Sequence, residues 1–385
     1  MNIEYGENRM LTQSLAPLRH LRLALTFGLP FTLMSPSAFG AEEVPETKLN
    51  AGYKKGFFIE DKHAPFKLAI QGRVQTRFTY EAIEGFNNSA DDKSYFTIQR
   101  ARLSLKGHAF HKNYTYKFQA DFGKGKVALK DFVVDFGFIP KKLHLSLGQF
   151  KKPFSRQQLN SSSKLEFVDR AITDKTFKDW IGRDVGLMLH NKFNKSPEFE
   201  WAFGLFNGAG SNKVPERLNP AIVARVGYNH GAIKGYSEGD LEGGDLRFAV
   251  GAATVVQIDS DKSHDGSAAV EVDYALKAHG FASTGSVFAL IQQAENAVSK
   301  TVEAKLQKLG AHIQLSYMVN AKWQPALRYA IIIPQEAGNP EQEIALGLSG
   351  YFFGHNLQWQ TDIAGLTEET KETDIRIRSQ LQLSF

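Results

Sequence analysis

The sequence predicts an all-β fold, namely a 16-stranded antiparallel transmembrane β-barrel with a long third extracellular loop folded into its lumen. Apolar and polar residues alternate with period two in sixteen segments, as expected of strands with one apolar and one polar face. The connections between the segments tend to alternate between short and long, as in bacterial outer-membrane barrels. The final segment ends on an aromatic residue, Phe385.

The composition excludes a helical membrane protein. The chain has 385 residues, 42% of them hydrophobic, and its mean hydropathy is −0.30. Past residue 40 it lacks the run of about 20 apolar residues that each membrane-spanning helix needs. The absence of cysteine excludes disulfides and thiolate metal sites and agrees with export through an oxidising compartment. A net charge of +5 is too small to indicate nucleic-acid binding.

The first forty residues are interpreted as a signal peptide. Basic residues as far as Arg22 precede the apolar stretch 23–34, and the small residues Ala38 and Gly40 follow it, so cleavage is expected after Gly40. The alternative is an uncleaved membrane anchor, which Pro30 disfavours because it interrupts the apolar stretch. The predicted organisation is a signal peptide at 1–40, a periplasmic N-terminal segment at 41–65 and a barrel at 66–385, with a constriction loop at 151–181.

The alternation assigns a face to each residue of a strand. In the first segment Leu68 and Ile70 share one face, and Arg73 lies on the other. An even number of segments agrees with a closed bacterial barrel. The sixteen segments are 66–78, 95–110, 113–123, 127–138, 142–150, 182–192, 197–208, 219–230, 244–257, 267–279, 281–292, 305–318, 323–333, 341–353, 355–365 and 375–385.

The lengths of the connections indicate which end of the barrel faces the cell exterior. If the first strand runs outward, most connections on the periplasmic side are short and several on the extracellular side are long. Two connections break this rule, a long turn near 231–243 and a short loop at 123–125, and the alternatives are a misplaced strand or variation of the barrel. The long extracellular connections are 81–94, 151–181, 209–218, 258–266, 293–304 and 334–340.

Aromatic residues near strand ends, among them Tyr80, Trp201 and Trp323, indicate girdles at the two membrane interfaces. The alternative is packing in a soluble β protein, but no helical segment is available to cover sixteen apolar strand faces. Phe385 resembles the terminal aromatic signal that the barrel-assembly machinery recognises. We therefore expect a protein of the outer membrane of a Gram-negative bacterium, in contact with membrane lipid and lipopolysaccharide.

The charged residues of the strands are expected to face the lumen, because Lys or Arg facing lipid at mid-depth costs about 2–4 kcal/mol. An excess of basic residues raises the local anion concentration and predicts an anion-selective pore. The alternative is that Arg–Asp pairs cancel each other. The inward basic residues are Arg73, Arg77, Arg100, Arg102, Lys106, Lys117, Arg225, Arg247, Arg328, Arg376 and Arg378. The inward acidic residues are Asp121, Asp131, Asp135, Glu200, Glu271, Asp273 and Asp362.

The segment 151–181 is predicted to narrow the pore, because a loop this long in a compact barrel is usually functional. It contains Ser161, Ser162 and Ser163 followed by Lys164, which together offer hydroxyl groups and an ammonium group to an oxyanion. The alternative is a solvated surface loop with a flexible serine run.

Several stretches between 66 and 192 resemble the phosphate-selective porins O and P. The resemblance implies a 16-stranded barrel, usually a homotrimer, whose third extracellular loop enters the channel with a Lys beside Ser residues while arginines form a ladder along the wall. The matching stretches are 68–75 (LAIQGRVQ), 99–103 (QRARL), 116–122 (YKFQADF), 148–155 (GQFKKPFS), 161–164 (SSSK) and 169–170 (DR).

By position, the resemblance implies roles for individual residues. Lys164 corresponds to the constriction lysine, with Ser162 or Ser163 beside it. Arg73 and Arg100 correspond to ladder arginines, and Asp131 falls where the family has a constriction carboxylate. The chain has Gln99 before Arg100, where the family often has two arginines. Beyond residue 192 the ladder positions, including Arg225, Arg247 and Arg328, rest on the counting of faces alone.

The leading functional hypothesis is a passive anion channel that prefers phosphate, without a cofactor or a metal. The runner-up is a general or differently selective porin, and a non-conducting barrel is a further alternative. An outer-membrane enzyme would need a nucleophile beside a base such as His108, His190 or His312, and no nucleophile motif is present. The acidic residues Asp259 and Asp261 belong to an exposed loop segment and indicate solvated charge more than a calcium site.

Overall fold

The computed structural model describes residues 49–385 except 55, 62–64, 84, 86–91, 178–179, 217–218, 259–266, 296–301, 336–337 and 369–372. The predicted signal peptide at 1–40 and the acidic loop segment with Asp259 and Asp261 lie outside the described residues. Among the described residues no helix is long and apolar enough to cross a membrane.

Strands make up most of the described chain. They are β1 (Leu49–Tyr53), β2 (Phe57–Asp61), β3 (Lys67–Ala82), β4 (Lys93–Ala109), β5 (His111–Asp121), β6 (Ala128–Ile139), β7 (Leu143–Lys151), β8 (Arg183–His190), β9 (Phe199–Phe206), β10 (Ala221–His230), β11 (Arg247–Gln257), β12 (Ser267–Ala278), β13 (Phe281–Glu295), β14 (Val302–Tyr317), β15 (Trp323–Pro334), β16 (Glu341–Tyr351), β17 (Leu357–Glu368) and β18 (Asp374–Ser384). Two short helices, α1 (Arg156–Leu159) and α2 (Ile172–Thr176), lie between β7 and β8.

The strands β3 to β18 form a closed antiparallel barrel. Each strand pairs with the next along the chain, and β18 pairs back with β3 from Ile375 opposite Ala82 to Ser384 opposite Arg73. Closure leaves no long unpaired edge, which a sheet spanning a membrane cannot tolerate. The predicted fold class of sixteen antiparallel strands is therefore confirmed, and each predicted segment overlaps one barrel strand.

The two faces of the barrel strands differ in exposure as the alternation predicts. On β16, Ile344 and Leu346 are 58% exposed on the outer face, while Glu343 and Ala345 between and beside them are buried. The outward face is thus apolar, and polar or small residues point inward at these positions. This is the pattern of a strand with lipid on one side and the barrel interior on the other.

One part of the inward face is apolar, which the alternation did not predict. Val255 of β11, Phe288 of β13 and Ile332 of β15 are buried in one cluster with Phe154 and Phe177 of the segment 152–182. The ring of Phe177 stacks on that of Phe288 with centroids 5.1 Å apart. These inward positions are apolar because they pack against this segment, hereafter the long loop.

The turn between β10 and β11 is as long as the sequence indicated, and no strand is misplaced there. Its length allows contact with the long loop. The Glu238 carboxylate accepts hydrogen bonds from the backbone N–H of Glu166 at 2.8 Å and from the amide of Gln157 at 3.2 Å. The exceptional length of this connection therefore has a structural reason.

A two-stranded hairpin precedes the barrel and was not predicted. Strand β1 pairs with β2, and β2 pairs with the first residues of β3, from Phe57 opposite Ile70 to Glu60 opposite Lys67. The pairing of β18 with β3 ends at Arg73. Strand β2 therefore covers the part of the β3 edge that β18 does not reach.

Candidate functional site

Two cavities lie beside the long loop. The first, about 680 Å³, is lined by Arg73, Arg102 and Ser162 among others and is called the basic cavity here. The second, about 1050 Å³, is lined by residues of both charge signs and is called the mixed cavity. Gln158 and Arg170 line both, so the cavities adjoin at these two side chains of the long loop.

The basic cavity carries a large surplus of positive charge. Its lining includes two carboxylates, those of Asp131 and Asp135. Three further carboxylates, those of Glu60, Asp121 and Asp174, form ion pairs with basic residues of the lining. Even with these counted, ten basic side chains face five carboxylates. The basic residues of the lining are Lys67, Arg73, Arg102, Lys106, Lys117, Lys151, Arg170, Arg183, Lys192 and Lys195.

Two arginines of neighbouring strands converge on one serine of the long loop. Arg73 and Arg102 are directly opposite each other in the pairing of β3 with β4, an arrangement in which like charges repel. The Ser162 hydroxyl oxygen accepts from Arg73 Nη2 at 3.0 Å and from Arg102 Nη1 at 3.3 Å. It occupies the position between two guanidinium groups that an oxyanion oxygen would favour.

The partners of the two arginines differ in charge. Arg102 Nε donates to Asp121 at 2.7 Å. Arg73 donates to two neutral hydroxyls, those of Ser161 at 3.3 Å and Ser162. Its Nε is buried and has no hydrogen-bond partner among the described residues. Arg73 is therefore the member of the pair whose charge is not compensated by a carboxylate among the described residues.

A tight turn separates the serines that line the basic cavity from the lysine that follows them. The backbone N–H of Lys164 donates to the carbonyl oxygen of Ser161 at 2.9 Å, closing a four-residue turn. Ser161 and Ser162 line the basic cavity, whereas Ser163 and Lys164 do not. The structure thus brings Arg73, Arg102, Ser162 and Asp131 together around this cavity and places Lys164 outside its lining.

Lys164 lies near the connection between β16 and β17. Burial lowers the pKa of His355 in that connection to about 4, and the charges of Lys164 and Lys277 act in the same direction. The hydrogen bond that His355 Nδ1 donates to the side-chain oxygen of Gln358 acts to raise the pKa. The carbonyl oxygen of Lys164 also accepts from the backbone N–H of Glu238 at 3.3 Å. Its surroundings therefore differ from those of Arg73.

Two cations hold the start of the long loop in shape. Lys151 Nζ donates to three successive backbone carbonyl oxygens at the end of α1, residues 158–160. Arg170 donates to the carbonyl oxygens of Gln157 and Asn160, each at 2.9 Å. The last carbonyls of a helix lack intrahelical partners and carry partial negative charge. Both cations are thus partly committed to the loop backbone.

The ladder arginines further along the wall meet a carboxylate of the long loop. Arg77 donates to both oxygens of Asp169, at 2.7 and 3.0 Å. Arg378 lies 3.1 Å and Arg100 3.5 Å from the same carboxylate. Burial acts to raise the pKa of Asp169, but Arg77 and Arg378 outweigh it and hold the pKa below its ordinary value, so the group stays ionised.

Arg225 belongs to a buried cluster outside the lining of both cavities. It donates to Asp273 at 2.7 Å and to Glu200 at 3.1 Å. Arg156 of the long loop also donates to Asp273, at 2.5 Å, and its guanidinium lies 5.0 Å from the ring centroid of Tyr236. Arg225 points inward as predicted, but neighbouring carboxylates neutralise it.

The remaining inward arginines are also paired. Arg247 donates to Asp240 at 2.6 Å, and Arg328 donates to Glu343 at 2.5 Å. Arg376 lies 3.7 Å from Glu343. In this part of the wall the arginines are paired with carboxylates. The contacts therefore agree with the alternative hypothesis, in which opposite charges cancel, better than with a row of uncompensated arginines.

Asp131 and Asp135 are both engaged by cations at the basic cavity. Asp131 lies 2.5 Å from Lys117 and 2.8 Å from Arg183. Asp135 lies 2.6 Å from Lys192. Each carboxylate therefore neutralises part of a basic surface and does not create an acidic site of its own.

The arrangement of Ser146, His190 and Asp135 differs from that of a hydrolase. The backbone N–H of Lys192 donates to His190 Nδ1 at 3.0 Å, so the neutral ring holds its proton on Nε2, which lies 2.8 Å from Asp135. The same Nε2 lies 3.0 Å from the Ser146 hydroxyl. A protonated Nε2 cannot accept the serine proton, so His190 is not placed as a general base for Ser146.

Comparisons with known proteins agree with this architecture. The model of the family "Phosphate-selective porin O and P" matches residues 69–226, which confirms the resemblance recognised from the sequence. An uncharacterized protein of Aquifex aeolicus is 23% identical over 374 residues, covering 85% of this chain and 88% of that protein.

Solved porin structures share the fold at low sequence identity. The outer membrane channel DcaP of Acinetobacter baumannii superposes with a TM-score of 0.59 at 15% identity, covering 87% of this chain and 100% of that one. The anion-selective porin from Comamonas acidovorans superposes with a TM-score of 0.56 at 12% identity, covering 83% and 99%. The fold is that of the bacterial outer-membrane porins. The sequence of residues 69–226 is in addition similar to that family of porins.

Proposed function

We propose that the chain forms a passive, anion-selective diffusion channel that prefers phosphate, in which the long loop enters the lumen as a constriction. The excess of basic residues around the basic cavity, where ten basic side chains face five carboxylates, carries this proposal. A low-dielectric wall focuses the field of such a surplus and enriches anions near it. The contacts of Phe177 with Phe288 and of Asp169 with Arg77 support a loop that lies against the inner wall.

Arg73, Arg102 and Ser162 are proposed as the oxyanion seat. Guanidinium groups offer planar pairs of N–H donors that match a phosphate edge. The Ser162 hydroxyl, which accepts from both arginines, can rotate and donate to an arriving anion. Such contacts replace part of the hydration shell of the anion while staying weak enough for release.

The remaining features of the proposal come from the family resemblance and from the targeting pattern. They are a homotrimeric assembly, a signal peptide cleaved after Gly40, recognition of Phe385 by the barrel-assembly machinery, and contact with lipopolysaccharide. Lys164 and Ser163 are proposed to contribute to the same anion path. Because they lie outside the lining of the basic cavity, we expect their contribution to be smaller than that of Arg73.

The proposal is tested in planar bilayers with the purified full chain. Reversal potentials in a potassium chloride gradient should give a chloride permeability well above that of potassium, and inorganic phosphate should reduce the chloride current by competing for the seat. Equal permeability for the two ions would contradict anion selectivity. Anion selectivity without an effect of phosphate would favour a general anion porin.

The first prediction compares two variants that each remove one positive charge. Arg73→Gln should weaken the inhibition of chloride current by phosphate about tenfold, since it removes the guanidinium whose hydrogen-bond partners are neutral hydroxyls. Lys164→Gln should change the inhibition less than about threefold. The measurement is the phosphate concentration that halves the chloride current. A larger effect of Lys164→Gln would move the seat to the position that the family resemblance implies.

A further inference from the structure

One carboxylate of the long loop contacts three wall arginines from adjacent strands. Asp169 Oδ2 lies 2.7 Å from Arg77 of β3 and 3.1 Å from Arg378 of β18. Its Oδ1 lies 3.0 Å from Arg77 and 3.5 Å from Arg100 of β4. The pairing with Arg77 is bidentate, the geometry in which a guanidinium binds a carboxylate or a phosphate.

For two of the three arginines, the other partners are neutral. Arg77 also donates to the side-chain oxygen of Gln380, at 2.9 and 3.2 Å. Arg100 also donates to the side-chain oxygen of Gln75 at 2.9 Å. Asp169 is therefore the carboxylate that these two guanidinium groups share.

Asp169 is more exposed toward the mixed cavity than the arginines that it contacts. The side chain of Asp169 is 30% exposed, whereas those of Arg77, Arg100 and Arg378 are 5%, 12% and 3% exposed. Asp169, Arg77 and Arg378 all line the mixed cavity. An anion that reached these arginines from the cavity would meet the carboxylate first.

We propose that Asp169 is a tethered anion, which occupies a three-arginine oxyanion site and competes there with permeating phosphate or carboxylate groups. This inference rests on the proposed anion channel and adds the residue that sets its affinity. A tethered carboxylate has a high effective concentration at the site, so a free oxyanion displaces it only transiently. Weak, reversible binding is what a conducting site requires.

The long loop has other contacts at this level, so its position does not depend on the carboxylate of Asp169 alone. The backbone N–H of Val168 donates to Asp362 at 3.0 Å. Arg328 donates to the carbonyl oxygen of Asp169 at 2.9 Å, and Arg77 donates to that of Val168 at 3.2 Å. These contacts use backbone atoms and survive an isosteric change of the Asp169 side chain.

The test is Asp169→Asn, which keeps the shape and removes the charge. We expect the phosphate concentration that half-saturates the anion current of the full-length channel to fall about tenfold, and the maximal current to fall because release is slower. The control is Glu81→Gln, which removes the same charge from the lining of the mixed cavity. It should change the half-saturating concentration less than twofold.

The alternative role of Asp169 is that of a purely structural anchor, and it gives the opposite result. A loosened loop would raise the conductance of Asp169→Asn for potassium as well as chloride and would raise the half-saturating concentration. Either that result or an unchanged half-saturating concentration would overturn the inference. The reversal potential of the wild-type channel is measured separately, so a failure of the proposed anion selectivity is distinguished from a failure of this inference.

Discussion

At the scale of single residues, the inward arginines differ in what compensates their charge. Arg225 contacts buried carboxylates of β9 and β12, Arg77 contacts a loop carboxylate, and Arg73 contacts two hydroxyls. A guanidinium keeps its charge at any relevant pH, so the nature of its partner decides whether it is available to a mobile anion. Arg73 is the most available of the three on this criterion.

A buried glutamate, Glu166, makes the attachment of the long loop depend on pH. The Glu166 side chain accepts hydrogen bonds from Ser316 and from Gln314, the latter at 3.0 Å. Burial, together with the nearby Glu238 carboxylate, raises the pKa of Glu166 to about 8, although Ser316 and Lys277 act to lower it. The neutral form is therefore the one that the folded loop favours.

This shift gives a prediction for Glu166→Gln. A carboxyl whose folded-state pKa is raised from 4.5 to about 8 weakens the attachment of the loop as the pH rises across that window. Fluctuations of the single-channel current should therefore increase from pH 5 to pH 8 in the wild-type channel. Glu166→Gln should remain quiet throughout, because its amide is neutral at every pH.

Glu198→Gln, an exposed glutamate at a turn, is the matched control and should follow the wild-type profile. A pH dependence that persists unchanged in Glu166→Gln would contradict the assignment. Equal fluctuations of the wild-type current at pH 5 and pH 8 would also contradict the assignment.

The residues of the site could be predicted only in part. Counting of strand faces placed Arg73 and Arg102 on the inward surface, because side-chain direction alternates with a fixed period. It could not tell that Asp169 would meet Arg77, since that contact joins residues 92 positions apart and depends on the path of a loop. The resemblance suggested Lys164, but the turn at Ser161 places it outside the lining of the basic cavity.

At the scale of structural elements, the sixteen barrel strands could be predicted because each carries its own local alternation. The hairpin of β1 and β2 could not, since its short strands carry too few residues for a periodic signal. The apolar inward patch was missed for a different reason. The aromatic residues Phe154, Phe167 and Phe177 in a long polar loop were the available signal that this segment packs against something.

The long loop is held on one side by its apolar contacts, which gives the next prediction. Phe177 is 1% exposed and stacks on Phe288. Phe177→Ala should cost about 3–5 kcal/mol of packing, as is usual for a buried phenylalanine. Because the ladder of barrel hydrogen bonds is untouched, the loss should fall on the loop, and trypsin should cleave at its lysines and arginines much faster in the purified channel.

Phe203→Ala is the matched control, because this residue of β9 is 50% exposed on the outer face. Its rate of cleavage in the long loop should equal that of the wild-type channel. Equal rates for Phe177→Ala and the wild type would show that the loop is held by its polar contacts alone. A lower thermal stability of the whole barrel in Phe177→Ala would mean that loop and barrel unfold together.

At the scale of the whole molecule, the long loop has an apolar side and a polar side. Its apolar side covers inward residues such as Phe288 and Ile332. The basic cavity lies beside the inward residues of β3, β4 and their neighbours. The anion path of the proposed channel is therefore asymmetric, with one wall of fixed basic side chains and the opposite wall formed by the loop.

The last prediction concerns Phe385, which lies at the seam where the barrel closes. Phe385 and Gly72 exchange two backbone hydrogen bonds, at 3.0 and 2.8 Å. The ring of Phe385 lies over Gly72, where an added Cβ would come within 2.2 Å of it. Phe385 is 44% exposed on the outside of the seam.

The variant Phe385→Ala should therefore distinguish a role of Phe385 in closing the barrel from a role in assembly in the cell. The two backbone hydrogen bonds with Gly72 do not need the ring, so the purified chain should refold in detergent with a melting temperature close to that of the wild type. In cells the amount of folded barrel in the outer membrane should fall severalfold, because the aromatic group proposed as the assembly signal is lost. Phe385→Tyr is the control that keeps an aromatic ring. If the amount of folded barrel fell equally in detergent and in cells, Phe385 would instead be needed for closure of the barrel itself.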